Sequence, residues 1–318
     1  MTDINDNKEH TFNEHPLVAS VRQYLQQIGL PSGDLNTLPD SSQRFEDGGS
    51  FRIEVPTINS VAACEAALRE SDRRGIKINR ITETLGLFRH TKQEITEWVQ
   101  LCKDYGCELV MSPGPRAPYD TGASVQTQQG SRIGYRLRGQ EQLVRALVDI
   151  RRAVDLGVES FLVYDEGMLS VLDQMRRDRV IPEHVHFKVS AHCGHGNPAS
   201  VHMLWKLGAN SVNPVRDLQL PMIAAIRASL SIPLDIHTDN PAASGGFMRI
   251  YEAPEIVRIA SPVHLKTGNS VLKGHGEETS PGDAERMVRQ AAIIVEVMGE
   301  FAPKLKQAAS AGLGGGPV

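Results

Sequence analysis

The chain has 318 residues, a formal net charge of −4, and 40% hydrophobic against 23% charged residues, a balance that supports a sizeable core. With only 5% aromatic residues and no basic excess, the sequence lacks the signature of a nucleic-acid-binding protein. No stretch is apolar enough for a membrane span, and the polar N-terminus lacks the apolar stretch of a signal peptide. We therefore expect a cytoplasmic protein with no nucleic-acid or membrane partner.

The chain divides into three parts. Residues 1–50 form a predicted N-terminal extension, with one helix over His15 to Leu30 followed by a turn-rich linker. Residues 51–307 form the predicted main domain. Residues 308–318 are small and Gly-rich and are predicted to be a disordered tail.

Within the main domain, short apolar runs alternate with amphipathic helical runs. Several helical runs end in glycine just before the next apolar run, namely at Gly75, Gly106, Gly157 and Gly208. The predicted strands start near Phe51, Lys77, Cys107, Val158, Val185, Ala209, Ile232 and Pro262. Eight such units predict an α/β fold of the (β/α)8 TIM-barrel type. A doubly wound open sheet is the alternative, but no GxGxxG motif follows the first strand.

Polar residues gather where these strands end, which in a (β/α)8 barrel is the edge where catalytic sites are built. Parallel barrel strands are buried on both faces, so polar residues there need an explanation. The residues at these ends include Glu54, Arg80, Glu83, Arg116, His192, Asn213, Arg216, Asp235, His237, Asp239, Lys266 and Asn269.

The seventh predicted strand places Asp235, His237 and Asp239 on one face, because side chains alternate with a period of two. Two carboxylates and an imidazole suit a divalent metal or an acid–base relay. The alternative is a polar surface loop.

Three other features have two interpretations each. The turn after His192 either approaches an anion or only reverses the chain. Lys266 is a base, an imine-forming amine or a fixed cation paired with Asp235 or Glu54, and we favour the fixed cation. The four cysteines match no metal or disulfide pattern, and we expect Cys193 to be a buried, inert thiol.

The segment 113–138 is unusually long and carries Arg116, Arg132, Arg136 and Arg138. Such segments are commonly lids or binding loops, and arginines suit a carboxylate or phosphate. The alternative is a contact to another subunit of a homo-oligomer.

Two family resemblances follow from the motifs. With YDEG, HCGHGNP, NPVRDL, DIHTDNP, YEAPEIVR and LKTGNS, the core resembles barrel proteins grouped with the U32 peptidases, although their cysteine signature is absent. This resemblance implies a TIM barrel. Locally, DIHTDN and LKTGNS are similar to motifs of metal-dependent lyases and condensing enzymes related to isopropylmalate synthase and HMG-CoA lyase. In that comparison His237 and the Gly268–Asn269 pair match, whereas Asp235 replaces a histidine.

These observations predict an enzyme for a small polar, anionic metabolite, with metal-assisted carbon–carbon lyase, condensation or enolate chemistry. The predicted metal ligands are Glu54, Asp235, His237 and Asn269. The predicted catalytic residues are His192, Asp239 and Lys266, and the predicted substrate-binding residues are Arg80, Glu83, Arg116, Asn213 and Arg216. The alternatives are a U32-like hydrolase and a non-catalytic barrel subunit that binds a partner.

Overall fold

Eight parallel strands close into a barrel in this computed structural model, which describes residues 14–114, 127, 130, 134–273, 278–309 and 311. The strands are β1 (Phe51–Pro56), β2 (Arg80–Thr82), β3 (Glu108–Met111), β4 (Ser160–Val163), β5 (His186–Val189), β6 (Ser211–Val212), β7 (Leu234–His237) and β8 (Val263–Lys266). They pair in the order β1–β2–β3–β4–β5–β6–β7–β8, and β8 closes on β1. The predicted (β/α)8 barrel is confirmed.

Helices connect the strands and form the outer layer. They are α1 (Pro16–Gln27), α2 (Val61–Arg74), α3 (Lys92–Asp104), α4 (Gly139–Asp155), α5 (Glu166–Arg177), α6 (Pro198–Lys206), α7 (Leu220–Ala228), α8 (Ala253–Ala260) and α9 (Pro281–Phe301). Capping boxes begin α3, α6 and α9. Gly75 ends α2 with a φ of 63°, the left-handed conformation that glycine adopts without strain.

A large apolar core lies between the strands and the helices, whereas the barrel interior is charged. On β1, Ile53 and Val55 point outward into the apolar layer, and Arg52 and Glu54 alternate with them. The register aligns Glu54 with Arg80 and with Lys266, and aligns Lys266 with His237. Strand pairing therefore brings predicted site residues from four strands to one level.

The linker before β1 closes the amino-terminal end of the barrel. Phe45 is buried beneath Arg52, with the guanidinium carbon 4.0 Å from the ring centroid, and its ring meets His264 edge-on. Ala308 donates its backbone N–H to the Phe51 carbonyl at 2.8 Å, so the chain near its C-terminal end also joins this closure. By contrast, α1 buries none of its residues.

In the part of the chain that the structure describes, no helix combines the length and apolar character needed to cross a membrane.

Candidate functional site

A small cavity opens at the carboxyl ends of the strands. It is lined by Pro56, Thr57, Thr84, Tyr135, Leu162, Tyr164, Ser190, His192, Asn213, Arg216, His237, Lys266 and Asn269. Six predicted functional residues thus share one cavity, as expected for polar residues at the ends of adjacent barrel strands. They are His192, Asn213, Arg216, His237, Lys266 and Asn269.

A layer of charged side chains fills the barrel below this cavity. Glu54 pairs with Lys188 and lies 3.4 Å from the Lys266 amine. Asp235 pairs with Arg80 at 2.8 Å, and Arg80 also binds Glu108 at 2.6 Å. All these side chains are buried, so each charge depends on its partners for stabilisation.

The Asp235 carboxylate has further partners. Ser211 donates its hydroxyl to Asp235 at 2.9 Å, and His264 Nδ1 lies 3.0 Å from it. Although burial alone would raise the pKa of Asp235, the nearby Lys188 and Arg80 charges hold it well below its usual range. Burial would likewise raise the pKa of Glu54, but the charges of Lys188 and Lys266 outweigh burial and lower it.

A chain of hydrogen bonds crosses the cavity floor and orients His237. Thr57 donates to Asn269 Oδ1 at 3.0 Å, and Asn269 Nδ2 donates to His237 Nδ1 at 3.4 Å. His237 Nε2 donates to Asn213 Oδ1 at 3.2 Å. This arrangement assigns a proton to Nε2 and leaves Nδ1 as an acceptor.

The four residues predicted to hold a metal do not fit a metal site in this arrangement. The Glu54 and Asp235 oxygens already face cations, and both ring nitrogens of His237 have amide partners. Among the described residues, no group of three or more His, Cys, Asp or Glu side chains is arranged to hold a metal ion. We therefore derive no chemical step from a metal.

Lys266 places an amine at the junction of the cavity and the charged layer. Its Nζ donates to Asn213 Oδ1 at 3.0 Å and lies beside Glu54, the pairing considered for a fixed cation. Burial lowers the pKa of Lys266 to about 7, even though the negative charge of Glu54 opposes the shift. The amine is consequently present in both protonation states near neutral pH.

Two stacked rings, with a guanidinium at the edge of one of them, form one wall of the cavity. Tyr135 stacks on His192 with ring centroids 3.9 Å apart and an interplanar angle of 11°. The terminal nitrogen of Arg216 lies 3.3 Å from His192 Nε2. Burial lowers the pKa of Arg216, whose side chain brings positive charge to the cavity.

The remaining predicted residues lie elsewhere. Asp239 is buried outside the cavity lining, where it accepts hydrogen bonds from the loop after β8. Glu83 accepts from the backbone of Gly86 at 2.7 Å and of Ser112 at 3.2 Å, so it orders the loops after β2 and β3. Arg80 lies in the charged layer. Arg116 falls outside the described residues.

Sequence reasoning missed several members of the site. Tyr135 lies within the long segment 113–138 and has no signal of its own in the sequence, and Thr57 and Tyr164 carry no sequence signal that marks them as site residues. Lys188 had a usable signal, since it shares a strand face with Ser190 and a lysine within a buried strand needs a charged partner. Cys193 is buried, and burial raises the pKa of its thiol to about 12, as an inert cysteine requires.

No protein-family model and no curated protein matches this chain. Similar solved structures include the YdjI aldolase from Escherichia coli K12, with a TM-score of 0.46, 14% identity, and coverage of 80% of this chain and 92% of that chain. The U32 peptidase Mk0906 has a TM-score of 0.38 and 18% identity over 62% of this chain and 72% of that chain. A structure described as native KDPGal has a TM-score of 0.48 and 12% identity over 81% of this chain and 98% of that chain. Such likenesses concern the barrel fold and carry no argument about activity, and the relationship to isopropylmalate synthase stays a prediction.

Proposed function

We propose that this protein is an enzyme that binds a small anionic carbonyl compound and moves a proton at the carbon next to the carbonyl group. The product of that step is an enolate, the species from which carbon–carbon lyases and condensing enzymes operate. The observation that carries the proposal is the Lys266 amine, held in the cavity by Asn213 with a pKa of about 7.

Lys266 supplies the base in this proposal. A lysine with its usual pKa is protonated at neutral pH and cannot accept a proton, whereas a pKa near the working pH gives both a neutral amine and a driving force. The neutral amine takes the proton from carbon and becomes an ammonium ion. Glu54, 3.4 Å away, is placed to stabilise that new positive charge.

The cavity also supplies groups for the other parts of the substrate. Ser190 accepts the backbone N–H of His192, so its own hydroxyl hydrogen remains available to turn toward a carbonyl oxygen. Arg216 brings a guanidinium that suits an anionic group. The floor residues His237 and Asn269 keep these groups and Lys266 at fixed separations.

Proton exchange with solvent tests the proposal without knowledge of the physiological substrate. Small 2-oxo acids such as pyruvate are incubated with the protein in D2O, and loss of the C3 proton signal is followed by NMR. We expect exchange with wild type and with Lys103→Met, an exposed lysine on α3, and background exchange with Lys266→Met. Exchange that survives Lys266→Met would contradict the assignment of the base.

The same samples address the alternatives. Treatment with borohydride in the presence of the oxo acid adds mass to Lys266 only if an imine forms. Hydrolysis of peptide or ester substrates without proton exchange would favour the hydrolase. A protein that does neither, yet captures a defined partner through this face, would be the non-catalytic subunit.

A further inference from the structure

The loop after β8 forms a backbone anion site. The N–H groups of Gly268 and Ser270 donate to the two carboxylate oxygens of Asp239 at 2.9 and 2.8 Å, and the Ser270 hydroxyl donates to the same carboxylate. Convergent backbone N–H groups of this kind bind anions. Here the anion comes from the protein itself.

This site lies where (β/α)8 barrels commonly bind phosphate. In (β/α)8 barrels, the loops after strands 7 and 8 frequently form the phosphate-binding site. Gly268 to Ser270 follow β8, and Asp239 follows β7. The Asp239 side chain, from the loop after β7, thus accepts the hydrogen bonds of the N–H groups in the loop after β8.

Asp239 is fixed in this place from several directions. Its side chain is fully buried. Its backbone pairs with Met248 in a short antiparallel hairpin, and the preceding Thr238 donates its N–H to the Lys266 carbonyl at 2.9 Å. Moving the carboxylate out would place a charge against the protein interior and leave buried N–H groups without acceptors, both of which are costly.

The loop after β8, which donates these N–H groups, is equally fixed. Gly268 has a φ of +103°, and a Cβ at this position would lie 2.7 Å from Met287 Cβ. Only glycine fits this conformation and this close approach to α9. The loop therefore holds its N–H groups toward Asp239 and not toward the cavity.

The cavity itself offers the Arg216 guanidinium in place of backbone N–H groups. Arg216 and Lys266 both line the cavity, and Asp239 does not line it. A planar guanidinium matches the two oxygens of a carboxylate in a bidentate pair. A cavity that holds this guanidinium suits a compact oxo acid.

We infer that the substrate's anionic group is a carboxylate held by Arg216, and that the phosphate position of this barrel is permanently occupied by Asp239. The inference deepens the proposed function and rests on it for the carbonyl part of the substrate. The anion class itself depends only on Arg216 and Asp239.

The experiment measures the affinity of oxalate and of inorganic phosphate by calorimetry in wild type and in Arg216→Gln. We expect oxalate to bind wild type without competition from phosphate, and Arg216→Gln to weaken oxalate by about tenfold or more. Arg69→Gln, with an exposed arginine on α2, is the matched control and should bind oxalate like wild type. Phosphate that competes with oxalate in wild type, or the binding of neither anion, would overturn the inference.

A second pair of variants tests the occupied N–H groups directly. Asp239→Gly removes the carboxylate, and we expect the variant to gain phosphate binding that wild type lacks. Asp239→Asn keeps an acceptor oxygen and should not gain it, and it supplies a folded reference if the glycine variant is too unstable. Phosphate binding that is equal in wild type and Asp239→Gly would count against the inference. Oxalate binding through Arg216 without proton exchange would sink the proposed reaction while leaving the anion class intact.

Discussion

At the scale of single residues, the properties of a polar side chain in the site depend on its surroundings as well as on its chemical type. Lys188 and Lys266 both enter the charged layer of the barrel and both contact Glu54. Only Lys266 also lines the cavity. The combination of burial with access to the cavity is why we propose the Lys266 amine, and not the Lys188 amine, as the base.

The pH dependence of the reaction follows from Lys266. In the proposed reaction the neutral amine is the base, so kcat/KM for proton exchange should rise as pH increases through about 7 and then level off. Lys266→Met should remove both the rate and this profile, while the protein stays folded because Glu54 keeps its contact with Lys188. A rate that falls as pH rises through 7 would show that Lys266 acts as an acid or a fixed cation.

Replacing His237 tests the floor of the cavity. His237→Ala should fold but lose proton exchange, because Asn213 and Asn269 each lose the ring that joins them. The two broken hydrogen bonds should cost roughly 1–3 kcal/mol of unfolding free energy, measured by denaturant titration. Asn210, away from the cavity and bonded to Arg176, offers Asn210→Ala as a control for loss of a polar contact.

Thermal melts of wild type and His237→Ala, with and without a divalent ion, check the predicted metal. Stabilisation of wild type by a divalent ion that disappears in His237→Ala would restore the metal prediction and contradict our interpretation of the donor geometry. The expected result is the same melting temperature with and without the ion, since the side chains of Glu54 and Asp235 are held by Lys188 and Arg80.

The sequence could predict which residues meet at the barrel mouth but not which of them are engaged elsewhere. The period of two correctly put Asp235 and His237 on one face, since β7 runs through both. It failed to describe Asp239, because β7 ends at His237 and the chain turns into a hairpin. Asp235 pairs with Arg80, 155 residues away, and no local pattern reveals such a partner.

At the scale of elements, the end of the long segment after β3 is attached to the cavity wall. Arg136 pairs with Glu166, which also contacts His195, and donates to the Cys193 carbonyl at 2.9 Å. Leu137 donates its N–H to Asp165 at 3.2 Å. These contacts hold the Tyr135 ring against His192. Residues 115–126, 128–129 and 131–133 of the predicted lid segment lie outside the described residues.

The attachment through Arg136 leads to a proteolysis prediction. If the long segment covers the ligand, cleavage within residues 115–133 should slow when oxalate is added. Arg136→Gln should speed cleavage and reduce the protection, because it loses the contacts with Glu166 and Cys193. Protection that depends on protein concentration and not on oxalate would instead support the subunit contact of a homo-oligomer.

The N-terminal extension has an exposed helix, α1, and a linker that packs on the barrel through Phe45. Deleting residues 1–30 should leave the melting temperature nearly unchanged, since α1 buries no residue. Phe45→Ala should lower the unfolding free energy by roughly 3 kcal/mol, because the ring is 3% exposed and covers Arg52 and His264. Thermal melts of both variants check this, and a large loss on deleting residues 1–30 would reverse the assignment. The sequence analysis placed the whole linker outside the main domain, because turn-rich composition does not show where a single aromatic residue packs.

At the scale of the whole molecule, the barrel was predictable because its signals are local and repeated. Each predicted strand run contains one of the observed strands, and Gly75, Gly106, Gly157 and Gly208 all have positive φ as helix-ending residues. The charged interior was not predictable in the same way. A strand with Arg52 and Glu54 facing inward is stable only if other strands supply matching charges, as Arg80, Lys188 and Lys266 do for Glu54.

That interior makes the stability of the molecule sensitive to acid in two stages. Burial, with help from the Arg80 charge, lowers the pKa of His264 to about 4, and burial lowers the pKa of His186 to about 4 as well. Because both folded-state values lie below the ordinary value of 6.5, the unfolded chain binds more protons between pH 6.5 and 4, and stability falls as pH falls through that window. The second stage comes at lower pH, from the lowered pKa values of Glu54, Glu108 and Asp235. The stability that these carboxylates contribute is present above the ordinary carboxyl range and is lost as they protonate.

The first stage can be isolated with one substitution. His264→Asn should reduce the slope of unfolding free energy against pH by up to about 1.4 kcal/mol per pH unit between pH 6.5 and 4, because one proton no longer binds on unfolding. His184→Asn, which changes a ring that is 60% exposed, should leave the slope as in wild type. Below pH 4 the wild type and His264→Asn should lose stability in parallel, since the carboxylates then dominate in both. Urea titrations across this pH range provide the measurement, and a slope unaffected by His264→Asn would show that the ring is not held neutral beside Asp235 and Arg80.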